Sequence, residues 1–289
     1  MLIDRSVSLT RYELPFRGTY GEPRPPALNE LALPPGPMPS RRGLRPLKAW
    51  RYVGVFGPEL MLCLAGVRIG PARQSFWAVW DSAQRRLYER TRLGSHRGVV
   101  LEPGRARLSD AEVTLDLRLE EEAGVETICA SGDAYAWTRK QGGIRAHGTI
   151  SIDGRSRPLD ACAVIDDTAA YYERHTHWRW SAGVGTARDG RPVAWNLVDG
   201  VNDPLIDSER SVWLAGEVSE PPPVRFASDL SAVDELRFVA RATRERRGNL
   251  LIVRSSYRQP FGEFAGVLPG VGVQLAQGFG VMEEHDAWW

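Results

Sequence analysis

The sequence predicts an all-β protein, built as a sandwich or a barrel, and three observations lead to this fold class. Polar and apolar residues alternate without a break over Glu112–Leu119 and again from Glu235 towards Ala242, a period typical of a sheet with one buried face. Asp-Gly dipeptides, which suit tight hairpin turns, stand between such segments. No long amphipathic helix is present. The turn dipeptides are Asp153-Gly154, Asp189-Gly190 and Asp199-Gly200.

The chain begins with a proline-rich arm, and strands follow it. Eight prolines between residues 21 and 46 exclude a helix and a central strand there, so we expect an extended arm that is packed over the body or loosely ordered. Two short helices, Ser228–Asp234 and Ala169–Glu173, and a hairpin at Gly142-Gly143 are further expectations. The other predicted strands are Trp50–Phe56, Leu60–Ile69, Phe76–Trp80, Arg85–Arg90, Ala146–Ile152, Leu159–Val164, His175–Thr186, Pro192–Val198, Asn249–Tyr257 and Val271–Glu283.

The length of 289 residues allows one large β domain or two of medium size. We predict a boundary near the Asp153-Gly154 turn, because it leaves two parts of ordinary domain size. The predicted units are the arm at 1–47, a first β domain at 48–155 and a second at 156–289, which carries the candidate pocket.

Composition excludes several function classes. The net charge is +1, so no basic surface for nucleic acid is expected. Three widely spaced cysteines (Cys63, Cys129 and Cys162) predict buried free thiols in a reducing compartment. We find no signal-peptide pattern and no apolar run of the roughly 18 residues that a membrane span needs. These features predict a soluble, cytoplasmic protein, and they leave its oligomeric state open.

The segment 166–209 is the candidate wall of a pocket, because it combines ionisable and aromatic residues. It holds two of the five histidines and three of the ten tryptophans of the chain. Aromatic side chains are costly to expose, and ionisable groups are costly to bury without partners. On a strand through this segment, Trp178 and Trp180 share one face, whereas His175, His177 and Arg179 share the other.

Three interpretations of this strand remain open. In one, the tryptophans form a core and the histidines face water. In another, His175 and His177 point into a barrel and transfer protons together with Asp166 or Asp167. In the last, His175 and His177 bind a metal with Glu283, Glu284 or His285 as a third ligand; our prediction includes no metal and no cofactor. The candidate ligand-binding residues are Tyr171, Tyr172, Trp178, Arg179, Trp180, Trp195, Asn196 and Glu283.

Two stretches carry a resemblance to a known family. The first holds Tyr171-Tyr172, His175-Thr176, Trp178–Gly183, Trp195–Leu197 and Ser208-Glu209, and the second is Gly278–His285. Together they resemble a bacterial family catalogued as domain of unknown function 2804. Asp166 or Asp167 followed by Trp178 and Trp180 is also distantly similar to lipocalin-like proteins of the AttH and carotenoid hydratase type.

This resemblance implies two adjoining lipocalin-like antiparallel barrels or half-barrels with apolar interiors. It also implies hydratase or cyclase chemistry on isoprenoid or polyketide substrates. We therefore expect an apolar barrel cavity in the second half that binds a hydrophobic small molecule, with a cofactor-free hydration, isomerisation or cyclisation as a further expectation. The alternatives are a non-catalytic carrier with the same cavity, and a structural or interaction module without a ligand.

Overall fold

A computed structural model describes residues 13–250 and 253–289 of the chain. Within these residues the protein is almost entirely antiparallel β structure, in one sheet of 11 strands, one of 8 and a two-stranded ribbon. The ribbon joins β2 (Arg41–Arg42) to β3 (Arg45–Pro46). The predicted all-β class of two adjoining half-barrels is confirmed.

The first sheet is strongly curled. Its main path runs β7-β6-β5-β4-β13-β12-β10-β9-β8, with β11 and β1 branching from β12. Because β8 contacts β5 and β6 near the other end of this path, the sheet curls back upon itself. Its strands are β1 (Phe16–Thr19), β4 (Lys48–Phe56), β5 (Leu60–Ile69), β6 (Ala72–Asp81), β7 (Arg86–Leu93), β8 (Val99–Glu102), β9 (Arg105–Ser109), β10 (Val113–Leu119), β11 (Val125–Ser131), β12 (Ala134–Ile152) and β13 (Arg155–Ala170).

The second sheet contains the strands after residue 174, in the order β17-β16-β15-β14-β21-β20-β19-β18. The domain boundary predicted at 155/156 falls at the turn between β12 and β13, and both of those strands belong to the first sheet. The strands of the second sheet are β14 (His175–Ala187), β15 (Pro192–Asp199), β16 (Ser211–Leu214), β17 (Glu217–Ser219), β18 (Ala232–Val233), β19 (Leu236–Leu250), β20 (Val253–Leu268) and β21 (Val273–Trp288).

Gly142 and Gly143 form a β-bulge inside β12, so the predicted hairpin at this position is wrong. The bulge lies between the part of β12 that pairs with β11 and the part that pairs with β10. Gly143 has φ +75°, which glycine adopts without strain. A Cβ on Gly142 would lie 2.4 Å from the ring of Trp213, so glycine allows β16 of the second sheet to pack on β12.

The proline-rich arm packs over the body. Leu28, Leu31, Leu33 and Met38 are buried in one cluster with aromatic residues of the first sheet. The arm includes a short 3₁₀ helix, Pro26–Glu30, which the proline argument had excluded. A proline at the first helical position costs nothing, since its missing N–H would be unpaired there.

Other local predictions differ from the structure. Neither predicted helix forms, because Ser228–Asp234 is a turn leading into β18 and Ala169-Ala170 end β13. The predicted strand Asn249–Tyr257 includes 251–252, which lie outside the described residues, and the chain on either side belongs to two antiparallel strands. Cys63 and Cys129 are buried free thiols, but Cys162 is exposed. Across the described parts of the chain, no helix has the length and apolarity needed to span a membrane.

Alternate residues of the strands build separate cores. An aliphatic cluster fills the inside of the curled first sheet, and another lies on one face of the second sheet. A third cluster is rich in aromatic residues and lies where the two sheets face each other. The third cluster surrounds the cavity described below.

Candidate functional site

A cavity of about 260 Å³ lies between the two sheets. Its volume is close to the lower end of the roughly 300–1,000 Å³ typical of ligand pockets. The first sheet contributes Trp50, Tyr52 and Phe76 to its wall, and the second contributes Trp178 and Trp180. We expected the cavity within the second half of the chain, but both halves line it. The inside of the curled first sheet and one face of the second sheet are filled by hydrophobic clusters instead.

The aromatic rings of the two sheets meet across the cavity region. Trp50 stacks on Trp178 with ring centroids 6.3 Å apart and an interplanar angle of 7°, and Tyr52 meets Trp180 edge to face at 5.3 Å. Trp50 also stacks on Tyr172 at 6.0 Å. These rigid rings give the cavity flat walls that suit a planar apolar molecule.

One end of the cavity holds a buried ionic cluster, which we call the Lys140 cluster: Lys140, Asp166, Glu209, Tyr172 and Asn202. Lys140 Nζ lies 2.5 Å from Asp166 Oδ1 and 3.3 Å from Glu209 Oε1. Asn202 donates from Nδ2 to Glu209 at 3.0 Å and to the Tyr172 hydroxyl at 2.6 Å. Strands β12 and β13 and the loop after β15 thus bring charges from three parts of the chain together.

The Lys140 cluster perturbs its own protonation equilibria. Burial lowers the pKa of Lys140, but the attraction of Asp166 and Glu209 outweighs it and leaves that pKa raised. Burial raises the pKa of Glu209, and Lys140 opposes this shift only in part. The cluster therefore keeps a charged lysine beside Glu209, a carboxyl group that accepts a proton more easily than an exposed one.

A second polar group, the Glu283 cluster, consists of Glu283, Trp178, Gln259, His285 and Ser255. Glu283 Oε1 accepts a hydrogen bond from Trp178 Nε1 at 2.9 Å, and Oε2 accepts one from Gln259 Nε2 at 2.8 Å. Both donors are neutral. Burial raises the pKa of Glu283 to about 7, although hydrogen bonding to Trp178 and Tyr257 favours the carboxylate.

His285 lies two residues further along β21 and lines the same cavity. Its ring is 4.4 Å from the Trp178 ring and 5.2 Å from the Tyr257 ring, and Nε2 lies 2.7 Å from Ser255 Oγ. Burial lowers the pKa of His285 to about 3. The imidazole is therefore neutral at physiological pH, while Glu283 is divided between both protonation states.

The structure brings five of the residues predicted from the sequence together in the cavity wall. They are Asp166, Tyr172, Trp178, Trp180 and Glu283. Asp166 lies within β13, where it accepts hydrogen bonds from Thr168 and Trp50. Asp166 and Asp167 are therefore both strand residues.

His175 and His177, the predicted proton-transfer residues, lie on the other face of β14. Both are exposed, and their Nε2 atoms lie 3.2 Å from Asp286 and Glu284 respectively. Arg179 shares this face and donates to Glu284 at 3.0 Å. The interpretation with both imidazoles inside a barrel is corrected, since alternation along β14 cannot turn Trp178 and His177 to the same side.

Three further candidates are buried outside the cavity wall. Tyr171 packs under the arm and donates to the Pro39 carbonyl at 2.8 Å. Trp195 belongs to the aliphatic cluster of the second sheet and donates to Ser181 Oγ at 3.0 Å. Asn196 accepts from Trp180 Nε1 at 2.8 Å and so fixes the orientation of a cavity tryptophan.

Several wall residues were missed from the sequence. His285 was missed as a strand residue because the predicted strand stopped at Glu283, although the alternation Val281, Glu283, His285 continues the pattern. Lys140 and Arg244 carry no local signal, since their importance depends on pairing across the fold. Polar wall residues outside the candidate ligand-binding set also include Tyr52, Asn202, Glu209, Ser255 and Tyr257.

Among residues 13–250 and 253–289, no group of three or more His, Cys, Asp or Glu side chains is placed to hold a metal ion. His175 and His177 lie on the outer face of β14, whereas Glu283 and His285 line the cavity. The residues considered for a His-x-His metal site are therefore split between two faces of the sheet.

A strongly curled antiparallel sheet that faces a second antiparallel sheet across an aromatic-lined cavity defines a class of all-β proteins. The model of a family described as Domain of unknown function (DUF2804) matches residues 95–289, and the chain belongs to this family. This confirms the resemblance seen in the sequence. No curated protein matches the chain.

Solved structures with a similar fold exist. A protein assigned as AttH from Nitrosomonas europaea is similar with a TM-score of 0.50 and 15% identity, over 88% of this chain and 98% of that one. Kievitone hydratase from Nectria haematococca is similar with a TM-score of 0.48 and 10% identity, over 82% of this chain and 88% of that one. The first similarity shows the fold alone, and the second is too weak to support a conclusion.

Proposed function

We propose that the protein binds a small, planar and mostly apolar molecule between its two sheets and exchanges a proton with it through Glu283. The ligand class that fits is a lipid-like, isoprenoid or polyketide compound with a conjugated or ring-shaped part. The reaction is a cofactor-free acid/base step, such as hydration, isomerisation or cyclisation.

The position of Glu283 carries this proposal. Its carboxyl group is buried in the wall of an aromatic cavity, and only neutral donors bind it through hydrogen bonds. A general acid or base works best when its pKa lies near the operating pH, and burial raises the pKa of Glu283 to about 7. Such a carboxyl group costs stability, so its presence in a cavity favours a chemical role over a structural one.

The surrounding residues have defined roles in this proposal. Trp178 holds the Glu283 carboxylate through its indole N–H and also presents its ring to the ligand with Trp50. Aromatic faces stabilise a positive charge that develops when an alkene is protonated. The Lys140 cluster binds the polar end of the ligand, and the neutral His285 serves as a hydrogen-bonding group.

Binding is tested by intrinsic fluorescence with the neutral aromatic probe 2-naphthylmethanol. Trp50, Trp178, Trp180 and Trp289 line the cavity, so saturable quenching with one binding site is expected. Val67→Trp places a ring in the cavity and should abolish the response. The control Val239→Trp lies on an exposed position of β19 and should leave it intact. Equal quenching in both variants would mean that the probe binds elsewhere.

Proton transfer is tested by mass spectrometry in D₂O. A panel of unsaturated isoprenoid and polyketide compounds is incubated with the protein, and exchange of carbon-bound hydrogen or addition of water is measured. Glu283→Gln should reduce the rate by about 10²- to 10⁴-fold, whereas the control Glu284→Gln, on the outer face of the same strand, should leave it unchanged. Saturable binding without any exchange would indicate a carrier and contradict the catalytic part of the proposal.

A further inference from the structure

Another part of the cavity wall contains a buried arginine, Arg244 on β19, whose side chain is fixed on one side. Nη2 donates to Thr91 Oγ1 at 2.8 Å, and Nε lies 3.5 Å from a carboxylate oxygen of Glu89. The guanidinium carbon stacks over the rings of Phe76 and Tyr257, at 4.0 and 4.8 Å from their centroids. Ring stacking and these polar contacts hold the guanidinium plane in one orientation.

Other donors in this part of the cavity wall lack an ordinary hydrogen bond. Arg244 Nη1 and the hydroxyl groups of Tyr52 and Tyr257 are sealed from solvent, and within the described residues none of them makes a hydrogen bond of ordinary geometry. The Tyr257 hydroxyl still interacts with Glu283, and the Tyr52 hydroxyl with Cys63, closely enough to affect their pKa values. All three residues line the cavity. Buried donors in native proteins nearly always have a partner, because an unpaired one is unfavourable. Three such residues on neighbouring parts of one wall therefore indicate a missing acceptor.

The charges in this part of the wall favour an acceptor with negative charge. Arg244 brings a positive charge to the cavity wall, and its carboxylate neighbour Glu89 is partly exposed to solvent. Burial raises the pKa of Tyr52 and of Tyr257 well above its usual value, so both phenols keep their protons and remain donors. Glu283 already accepts two hydrogen bonds from Trp178 and Gln259 and does not satisfy Arg244.

We propose that Arg244, Tyr52 and Tyr257 form an oxyanion subsite that binds a carboxylate, enolate or phenolate oxygen of the ligand. The inference rests on the proposed function and narrows the ligand to planar apolar molecules with an acidic or enolisable oxygen. Bidentate binding of an oxyanion is what a fixed guanidinium does best.

The test uses three probes that share one naphthalene ring: 2-naphthoate, the neutral 2-naphthylmethanol and the cationic 2-naphthylmethylamine. Their dissociation constants are measured by tryptophan quenching at about pH 6, where Glu283 is mostly protonated. We expect the carboxylate to bind tightest and the ammonium weakest. Arg244→Met should weaken the binding of 2-naphthoate by about 10- to 100-fold. It should change the dissociation constant of 2-naphthylmethanol by less than about 3-fold.

Arg246→Met is the matched control, because Arg246 also lines the cavity but is exposed and lacks a buried partnerless donor. It removes the same charge and should change 2-naphthoate binding by less than about 3-fold. Equal losses in the two variants would overturn the subsite, since they would reflect net charge alone.

The double variant Tyr52→Phe/Tyr257→Phe provides a second test if Arg244→Met does not fold, because it removes only two hydroxyl groups. It should weaken 2-naphthoate by about 10-fold and spare the alcohol. If the alcohol binds well and neither the arginine nor the tyrosine changes affect 2-naphthoate selectively, the oxyanion subsite fails while the cavity proposal stands. If no probe quenches wild-type fluorescence, the binding proposal itself fails.

Discussion

The two faces of the first sheet belong to the same strands, but one face lines a filled hydrophobic core and the other lines the cavity. Along β4, Val53 and Val55 enter the aliphatic cluster inside the curled sheet, whereas Tyr52 faces the second sheet. Along β13, Ile165 points inwards and Asp166 lies in the cavity wall. Branched aliphatic side chains interdigitate and fill space. The cavity face instead carries rigid rings held by hydrogen bonds at their polar ends and charged groups held by fixed partners. Because these groups cannot rearrange to fill the space between them, a cavity remains.

This difference indicates which face of the sheet contains side chains whose burial lowers the free energy of unfolding. The inner face of the first sheet is lined by hydrophobic side chains, whereas the cavity face buries Lys140, Asp166, Glu209, Glu283 and Arg244. Replacing a buried ionic group by an apolar one is often neutral or stabilising, provided that no partner is left alone. The proposed function accounts for these buried charges, and the predictions below separate the two faces by experiment.

The largest effect is expected for Lys140→Met. It leaves Asp166 and Glu209 buried without their cation, so we expect a loss of about 3–5 kcal/mol in the free energy of unfolding, measured by urea denaturation at neutral pH. Arg145→Met is the matched control on the same strand, because Arg145 pairs with Asp160 in an exposed position. It should cost less than about 1 kcal/mol. Similar losses would show that the Lys140 cluster is solvated like a surface pair.

The next effect is a pH-dependent stabilisation by Glu283→Gln. Burial raises the pKa of Glu283 to about 7, above the value of about 4.3 in an unfolded chain. Below about pH 4 both states are protonated. Between about pH 4.3 and 7 the unfolded state ionises first, so the free energy of unfolding of the wild-type protein falls as pH rises.

Glu283→Gln removes this pH-dependent loss of stability. The free energy of unfolding of the variant, relative to that of the wild-type protein, should therefore rise by on the order of 3 kcal/mol between about pH 4 and 7.5. The measurement is urea denaturation across this range. The readout is how the difference in free energy of unfolding between variant and wild type changes with pH. Altered hydrogen bonds to Trp178 and Gln259 shift that difference by a similar amount at every pH, so they do not produce such a change. A difference that stays constant would contradict a raised pKa, and Glu284→Gln should show no such rise.

A smaller effect on the free energy of unfolding is expected to distinguish the filled core of the first sheet from the cavity wall. Val53→Ala in the aliphatic cluster creates a void and should cost about 2 kcal/mol or more. Val198→Ala removes the same atoms from the cavity wall, where it enlarges an existing space, and should cost about 1 kcal/mol or less. Thermal or urea denaturation compares the two variants directly. Equal costs would mean that the space between the sheets is filled as tightly as the inner core.

The sequence was sufficient for the fold class, most strand positions and the tryptophan face, because a period of two is a local property of the chain. It did not predict that β12 extends from Ala134 to Ile152, since Gly142-Gly143 resembles a turn and is a bulge. Without that long strand, Lys140 could not be placed opposite Asp166, its partner across the β12–β13 pair.

Which face of a strand points inwards also could not be decided from β14 alone. The choice depends on Trp50 and Tyr52, which lie more than a hundred residues earlier. Trp50 stacks on Trp178, and Tyr52 meets Trp180 edge to face. The location of the cavity was missed for a similar reason. It lies between two sheets, and no single segment carries a pattern for such a junction.

The smallest expected effect concerns His175 and His177, the most conspicuous ionisable residues in the sequence. Each is exposed and pairs with an exposed or half-buried carboxylate, so His175→Ala and His177→Ala should each change the free energy of unfolding by less than about 1 kcal/mol at neutral pH. Both should keep 2-naphthylmethanol binding and deuterium exchange within about 2-fold of wild type, whereas Glu283→Gln should not. A large loss of exchange in His177→Ala with intact folding would move the chemistry to the outer face of β14 and would contradict the contrast between the two sides of that strand.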